Sequence, residues 1–211
     1  MRTALDFVEV PSLLLERFAC EPAVICRWAT HAVTGAPLPR ELAERAHSAS
    51  QMFMGIETQQ ACLHSLVDLR LHGQSWSPSE SMRMVRQLTS EHTLLPLGAD
   101  EHRRWHAGFR HLAAYGAGYY TYLWARSASS RVWQACFAQA PLSRAPGERW
   151  CRTVLQHGGA REPRGLLREM LSASEMPSAA KASSTKNEVT TSVASEENAA
   201  AQAALLGLVR T

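Results

Sequence analysis

Lysine is almost absent. The 211 residues hold two, Lys181 and Lys186, so the positive charge rests on arginines spread along the chain. The formal net charge is only +3. No block of about five or six like charges occurs, which argues against a dedicated nucleic-acid surface. There is no apolar run of ~18 residues, so nothing reads as a membrane span. No C-x-x-C pair is present. The five cysteines, Cys20, Cys26, Cys62, Cys136 and Cys151, are odd in number and scattered. They read as reduced, buried thiols of an intracellular protein. Met1–Glu9 shows no apolar h-region and no long Arg/Ser-rich leader, and taken alone suggests a protein without a presequence.

What is present divides the chain near residue 172. All six tryptophans, all four tyrosines and all five phenylalanines precede it. The stretch from Ser172 to about Asn198 is rich in Ser, Ala, Thr and Glu and lacks the apolar surface to offset chain entropy. Residues 173–211 are therefore expected to be a disordered tail, with a short helical piece over Ala199–Val209.

Before residue 172 no strand-like alternation persists, and Pro and Gly punctuate apolar stripes of helical period. The expected class is all-α. Pro11 opens a helix carrying Leu13, Leu14 and Phe18. Gly35–Pro39 is a break. One long helix is expected from about Arg40 to Leu71, with Gly55 as an irregularity and His72-Gly73 as its end. Ser77-Pro78-Ser79-Glu80 starts another. Asp100–Ala114 is a further helix. A Gly- and Tyr-rich loop spans Tyr115–Tyr122, and a helix then runs to near Pro141. Two short helices, about Gly147–Gln156 and Pro163–Leu171, close the core.

Two stretches hold residues of chemical interest. Asp6-Phe7-Val8-Glu9-Val10-Pro11-Ser12-Leu13-Leu14-Leu15-Glu16 opens the chain. His111-Leu112-Ala113-Ala114-Tyr115-Gly116-Ala117-Gly118-Tyr119-Tyr120-Thr121-Tyr122-Leu123-Trp124 holds all four tyrosines. Read alone, Glu9 is a capping or solvated carboxylate, and His111 with the phenols is a core aromatic cluster. Together they resemble the thimet oligopeptidase family of zinc metallopeptidases. That family has D-F-x-E-x-P-S-x-x-x-E about 25 residues after an H-E-x-x-H helix. It also has a loop H-L-x-G-Y-x-A-x-Y-Y-x-Y-L facing the active site, and Ala114 stands here where Gly is usual. Thr34-Gly35-Ala36-Pro37-Leu38-Pro39 and Glu148–Leu171 match in the same register. The resemblance covers about residues 4–172 and fits the mitochondrial intermediate peptidase branch best.

The resemblance implies roles. Glu9 would be the third ligand of Zn2+. His111 and Tyr122 would donate hydrogen bonds to the tetrahedral intermediate, a role that suits a phenol with pKa ~10. Tyr115, Gly116 and Tyr119 would line the substrate site, though Tyr119 and Tyr120 also fit simple packing. Glu16 is either a supporting carboxylate or a helix-surface one. The implied partner is a peptide or precursor-protein substrate, in mitochondria or, alternatively, in the cytoplasm. Residues 1–172 would then be the C-terminal part of a catalytic domain that packs on an absent N-terminal half.

No H-E-x-x-H occurs. The nearest spacing among the nine histidines is His102/His106, separated by Arg103-Arg104-Trp105. Two cations beside a divalent metal are unfavourable, so these read as exposed helix residues. A lone carboxylate does not hold zinc tightly. The chain is thus expected to be inactive alone. The other reading is a non-catalytic helical binding protein derived from the same fold.

Overall fold

The computed structural model describes residues 3–94 and 105–172. The expected tail, the Ala199–Val209 helix, His102 and the first part of the Asp100–Ala114 helix lie outside these residues. The described residues are all-α. They form ten helices: α1 (Val10–Cys20), α2 (Pro22–Ile25), α3 (Arg40–Gln51), α4 (Met54–Gly73), α5 (Pro78–His92), α6 (Trp105–Gly108), α7 (Arg110–Ala114), α8 (Tyr120–Cys136), α9 (Arg144–Thr153) and α10 (Pro163–Ser172).

Proline sets several of the starts. Pro11, Pro22, Pro78 and Pro163 all lie in first turns, where a missing N–H costs no helical bond. Helix α5 has a full capping box. The Ser77 hydroxyl accepts from the Glu80 N–H, and the Glu80 carboxylate accepts from the Ser77 N–H. At α10 the Glu162 carboxylate accepts from the N–H groups of Arg164 and Gly165 at 3.0 and 2.8 Å, which holds its pKa below the usual range. Residues 31–36, at the start of the Thr34–Pro39 stretch, form a tight turn. His31 donates its N–H to the Ala36 carbonyl at 2.8 Å, and Gly35 sits at φ 67°.

The single helix expected over Arg40–Leu71 is two helices. The chain breaks at Met52–Phe53, where the Met52 N–H reaches back three residues to the Ala49 carbonyl. Gly55 lies inside α4 rather than at the break. The Asp100–Ala114 helix is likewise divided, at an extended Phe109 (φ −83°, ψ 94°).

Two apolar cores result. In the first, Phe7, Val10 and Leu14 meet Ala125, Ala128, Val132 and Trp133 of α8, and Trp150, Leu166 and Met170 close it. Phe18 sets its ring edge-on to Trp133 and Phe137, at 4.8 and 5.1 Å. The second core joins Leu63 and Val67 of α4 with Met84, Val85 and Leu88 of α5 and Leu112 of α7. Helix α8 packs on both α1 and α4, so its N-terminal turn lies where the two cores meet. Met52, Phe53, Met54 and Ile56 leave a run of apolar side chains exposed at the α3–α4 junction. The cysteines are free but not buried: Cys20 and Cys151 are exposed and the other three half-buried.

Candidate active site

Glu9 is the residue just before α1. It does not cap the helix. Its Oε2 instead accepts the Ser12 hydroxyl at 2.7 Å, and its main-chain carbonyl accepts the same hydroxyl at 2.9 Å. Pro11 and Ser12 thus fix the start of α1 and the carboxylate together. Packing of α1 on α8 carries this carboxylate toward Tyr122. Burial comes first in raising the Tyr122 pKa, the negative charge of Glu9 second and Tyr115 third. Glu16 is exposed on the same helix.

His111, on α7, is the centre of the aromatic group. Its ring lies 5.2 Å from Tyr115, 4.9 Å from Tyr119 and 5.5 Å from Tyr122, centroid to centroid. Tyr119 and Tyr122 are 5.4 Å apart. Phe109 stacks behind His111 at 6.0 Å. The His111 Nδ1 is buried and has no hydrogen-bond partner among the described residues. Tyr115 and Tyr122 keep part of their rings in solvent, at 62% and 38% exposure. Tyr120 is exposed and takes no part in these ring contacts.

The loop is shorter than expected. It ends at Tyr119, and Tyr120–Tyr122 form the first turn of α8. This correction explains the pairing of two phenols, because positions i and i+3 share a helical face. The two glycines of the loop are not its left-handed residues. Neither Gly116 nor Gly118 has positive φ; the left-handed residue is Ala117, at φ 58°. Space is what demands glycine. A Cβ on Gly116 would meet His72 Nε2 at 2.5 Å, and one on Gly118 the Tyr115 carbonyl at 2.8 Å. Gly116 therefore sits on an exposed turn with His72 directly behind it.

Sequence reasoning missed Asp68. It lies on α4, is 0% exposed, and receives the loop's main chain. The N–H of Ala117 donates to Oδ1 at 2.9 Å and that of Tyr119 to Oδ2 at 2.8 Å. The available signal was an acidic residue inside the apolar stripe Leu63–Leu71, four residues before His72.

A family model described as Peptidase family M3 matches residues 1–186. The chain belongs to this family. Similar proteins include "Mitochondrial intermediate peptidase" of Rattus norvegicus, 36% identical over 170 residues, covering 81% of this chain and 24% of the relative. The protein of that name in Homo sapiens is 35% identical over 170 residues, again 81% and 24%. That of Malassezia globosa is 37% identical over 172 residues, 81% of this chain and 21% of the relative. The M3 chain thus spans about a quarter of the length of the curated relatives it matches.

In this M3 chain the described residues contain no group of three His, Cys, Asp or Glu side chains able to hold a metal ion. Glu9 is one carboxylate with a hydroxyl on one of its oxygens, and it does not amount to a metal site by itself.

Behind the phenols lies a second aromatic layer. The His64 ring lies 4.7 Å from Trp105, 5.1 Å from Phe109 and 5.4 Å from Tyr119. Burial lowers the pKa of His64 and of His106. His106 is half-buried, not the exposed residue expected. A lowered histidine pKa means that the unfolded chain takes up the proton first as pH falls. The histidines' share of stability is present above the ordinary value of 6.5 and is lost below it. Urea unfolding should therefore show a lower midpoint at pH 5.5 than at pH 7.5. Replacing His64 by Phe should flatten that dependence, and an unchanged slope would remove His64 as its source.

Proposed function

We propose that this chain forms the oxyanion-binding and third-ligand part of a zinc metalloendopeptidase. The single observation that supports this reading is the convergence of His111, Tyr115, Tyr119 and Tyr122, with the Glu9 charge acting on Tyr122. A peptide carbonyl placed among these groups meets a neutral phenol and an imidazole. Both can donate to the oxygen that becomes negative as the carbonyl turns tetrahedral. Tyr122, with its pKa pushed up, stays protonated well beyond neutral pH. Tyr115 is exposed enough to touch the substrate main chain, and Gly116 beside it is exposed as well. Glu9 is proposed as one zinc ligand, the two His ligands and the catalytic Glu belonging to an H-E-x-x-H helix that these 211 residues do not contain. Bound zinc would polarise the attacking water.

The proposed substrates are peptides, in particular N-terminal segments of imported precursors, with mitochondrial location following the relatives' names. Residues 1–172 are proposed as the catalytic-domain part, and the 211 residues alone as inactive. A direct test places this chain in the matching segment of the rat relative and follows cleavage of an octapeptide reporter. In that chimera His111→Phe should keep the ring packing and lower kcat by about 10²-fold, with little change in KM. Unchanged kcat would remove His111 from the reaction.

A further inference from the structure

We infer that Asp68 is the positioning residue that aims the phenols at His111, by gripping the main chain of the Tyr115–Tyr119 turn from α4. The inference rests on the proposed peptidase reading only for what the phenols do, not for how they are held.

Burying a carboxylate completely is costly unless its oxygens are well bonded. Asp68 meets that condition with groups from one short segment, 49 and 51 residues further along the chain. Each oxygen takes one main-chain N–H. His72 Nδ1 adds a third contact, 3.0 Å from Oδ1 and 2.9 Å from the Asp68 carbonyl. Both of these neighbours are acceptors, so Nδ1 bears a hydrogen. The Ala117 N–H then belongs to the carboxylate at 2.9 Å rather than to the ring at 3.3 Å. The charge also sits at the positive end of α8, a 17-residue helix. These bonds hold Ala117 in its left-handed conformation. They also fix the direction in which α8 leaves the turn. Tyr119 caps α8 and Tyr122 lies on its first turn, while His111 lies on α7 on the other side of the Tyr115–Tyr119 turn. A loss of grip moves the phenols without touching the first core, where Val132 and Leu166 are fully buried.

The test is Asp68→Asn in the 211-residue chain, read by amide exchange and by the His111 ring signals in NMR. An asparagine places an NH2 against one of the two N–H donors. Exchange at Ala117 and Tyr119 should quicken by about tenfold or more, and the His111 ring signals should move. Val132 and Leu166 should keep their protection. A purely stabilising role would lower the melting point and leave the His111 signals of the folded protein in place. That result, or unchanged protection at Ala117 and Tyr119, overturns the inference. If Asp68→Asn does not fold, Gly116→Ala serves. It leaves the carboxylate intact but drives a methyl into His72, so the Tyr119 and His111 signals should shift in the same direction of disorder. Static signals overturn the inference there too. The chimera separates the two ideas. An inactive wild-type chimera would count against the peptidase reading, while the exchange data still decide Asp68.

Discussion

Tyr122→Phe in the chimera should lower kcat for an octapeptide by about 10²–10³-fold, or about 2.7–4 kcal/mol of transition-state stabilisation. The substitution removes one hydroxyl and keeps the ring that packs against His111 and Tyr119. Fold and zinc content should be unchanged, and KM should move little, because in the proposed role the bond is made only as the oxyanion forms. The alkaline side has a defined sign. Burial and the Glu9 charge raise the phenol's pKa, so the donor is kept up to and beyond the ordinary phenol range, and lost only as pH rises through the raised value. The mutant, having no phenol here, should lose this limb. A turnover equal to wild type would take Tyr122 out of the mechanism.

The second large effect concerns how α1 and α8 are joined. Leu14→Ala should destabilise the fold by about 2–5 kcal/mol in urea unfolding, from lost burial plus the cavity left behind. Leu14 is 1% exposed and belongs to the same core as Ala125, Val132 and Trp133. Folded domains are stable by only ~5–15 kcal/mol in all, so the loss is a large share. The consequence reaches the site, since Glu9 immediately precedes α1 and Tyr122 lies on α8. A loss below about 1 kcal/mol would mean that this joint is loosely packed.

Much of the fold was legible because its punctuation is local. Pro11, Pro78 with its capping box, the Gly35–Pro39 turn and Pro163 each act within a few residues of themselves. The break at Met52–Phe53 was not legible, since neither residue is Gly or Pro, and at Phe109 the only local signal is the adjacent Gly108. Phe109 is pulled out of helix by contacts its neighbours cannot announce: its ring packs among His64, His111 and Tyr119. The cysteines are more exposed than their type leads one to expect, because residue type alone sets only a preference.

The site divides in the same way. Glu9, His111 and the phenols were legible because each sits in a dense local pattern. What holds them was not. Asp68 and His72 act on a turn some 50 residues further along. The part played by the small residues of that turn was not legible either. In the structure they are room for the His72 ring and for the Tyr115 carbonyl, while an alanine takes the left-handed position.

The most direct measurement is chelator-sensitive cleavage of one octapeptide reporter by three proteins: the 211-residue chain, its chimera with the rat relative, and that chimera with Glu9→Ala. The expected result is no cleavage by the chain alone, chelator-sensitive cleavage by the chimera, and loss of both cleavage and bound zinc on Glu9→Ala. Chelator-sensitive cleavage by the chain alone, or a Glu9→Ala chimera that keeps its zinc and its rate, would contradict the assignment of Glu9 and of this chain's part in the enzyme.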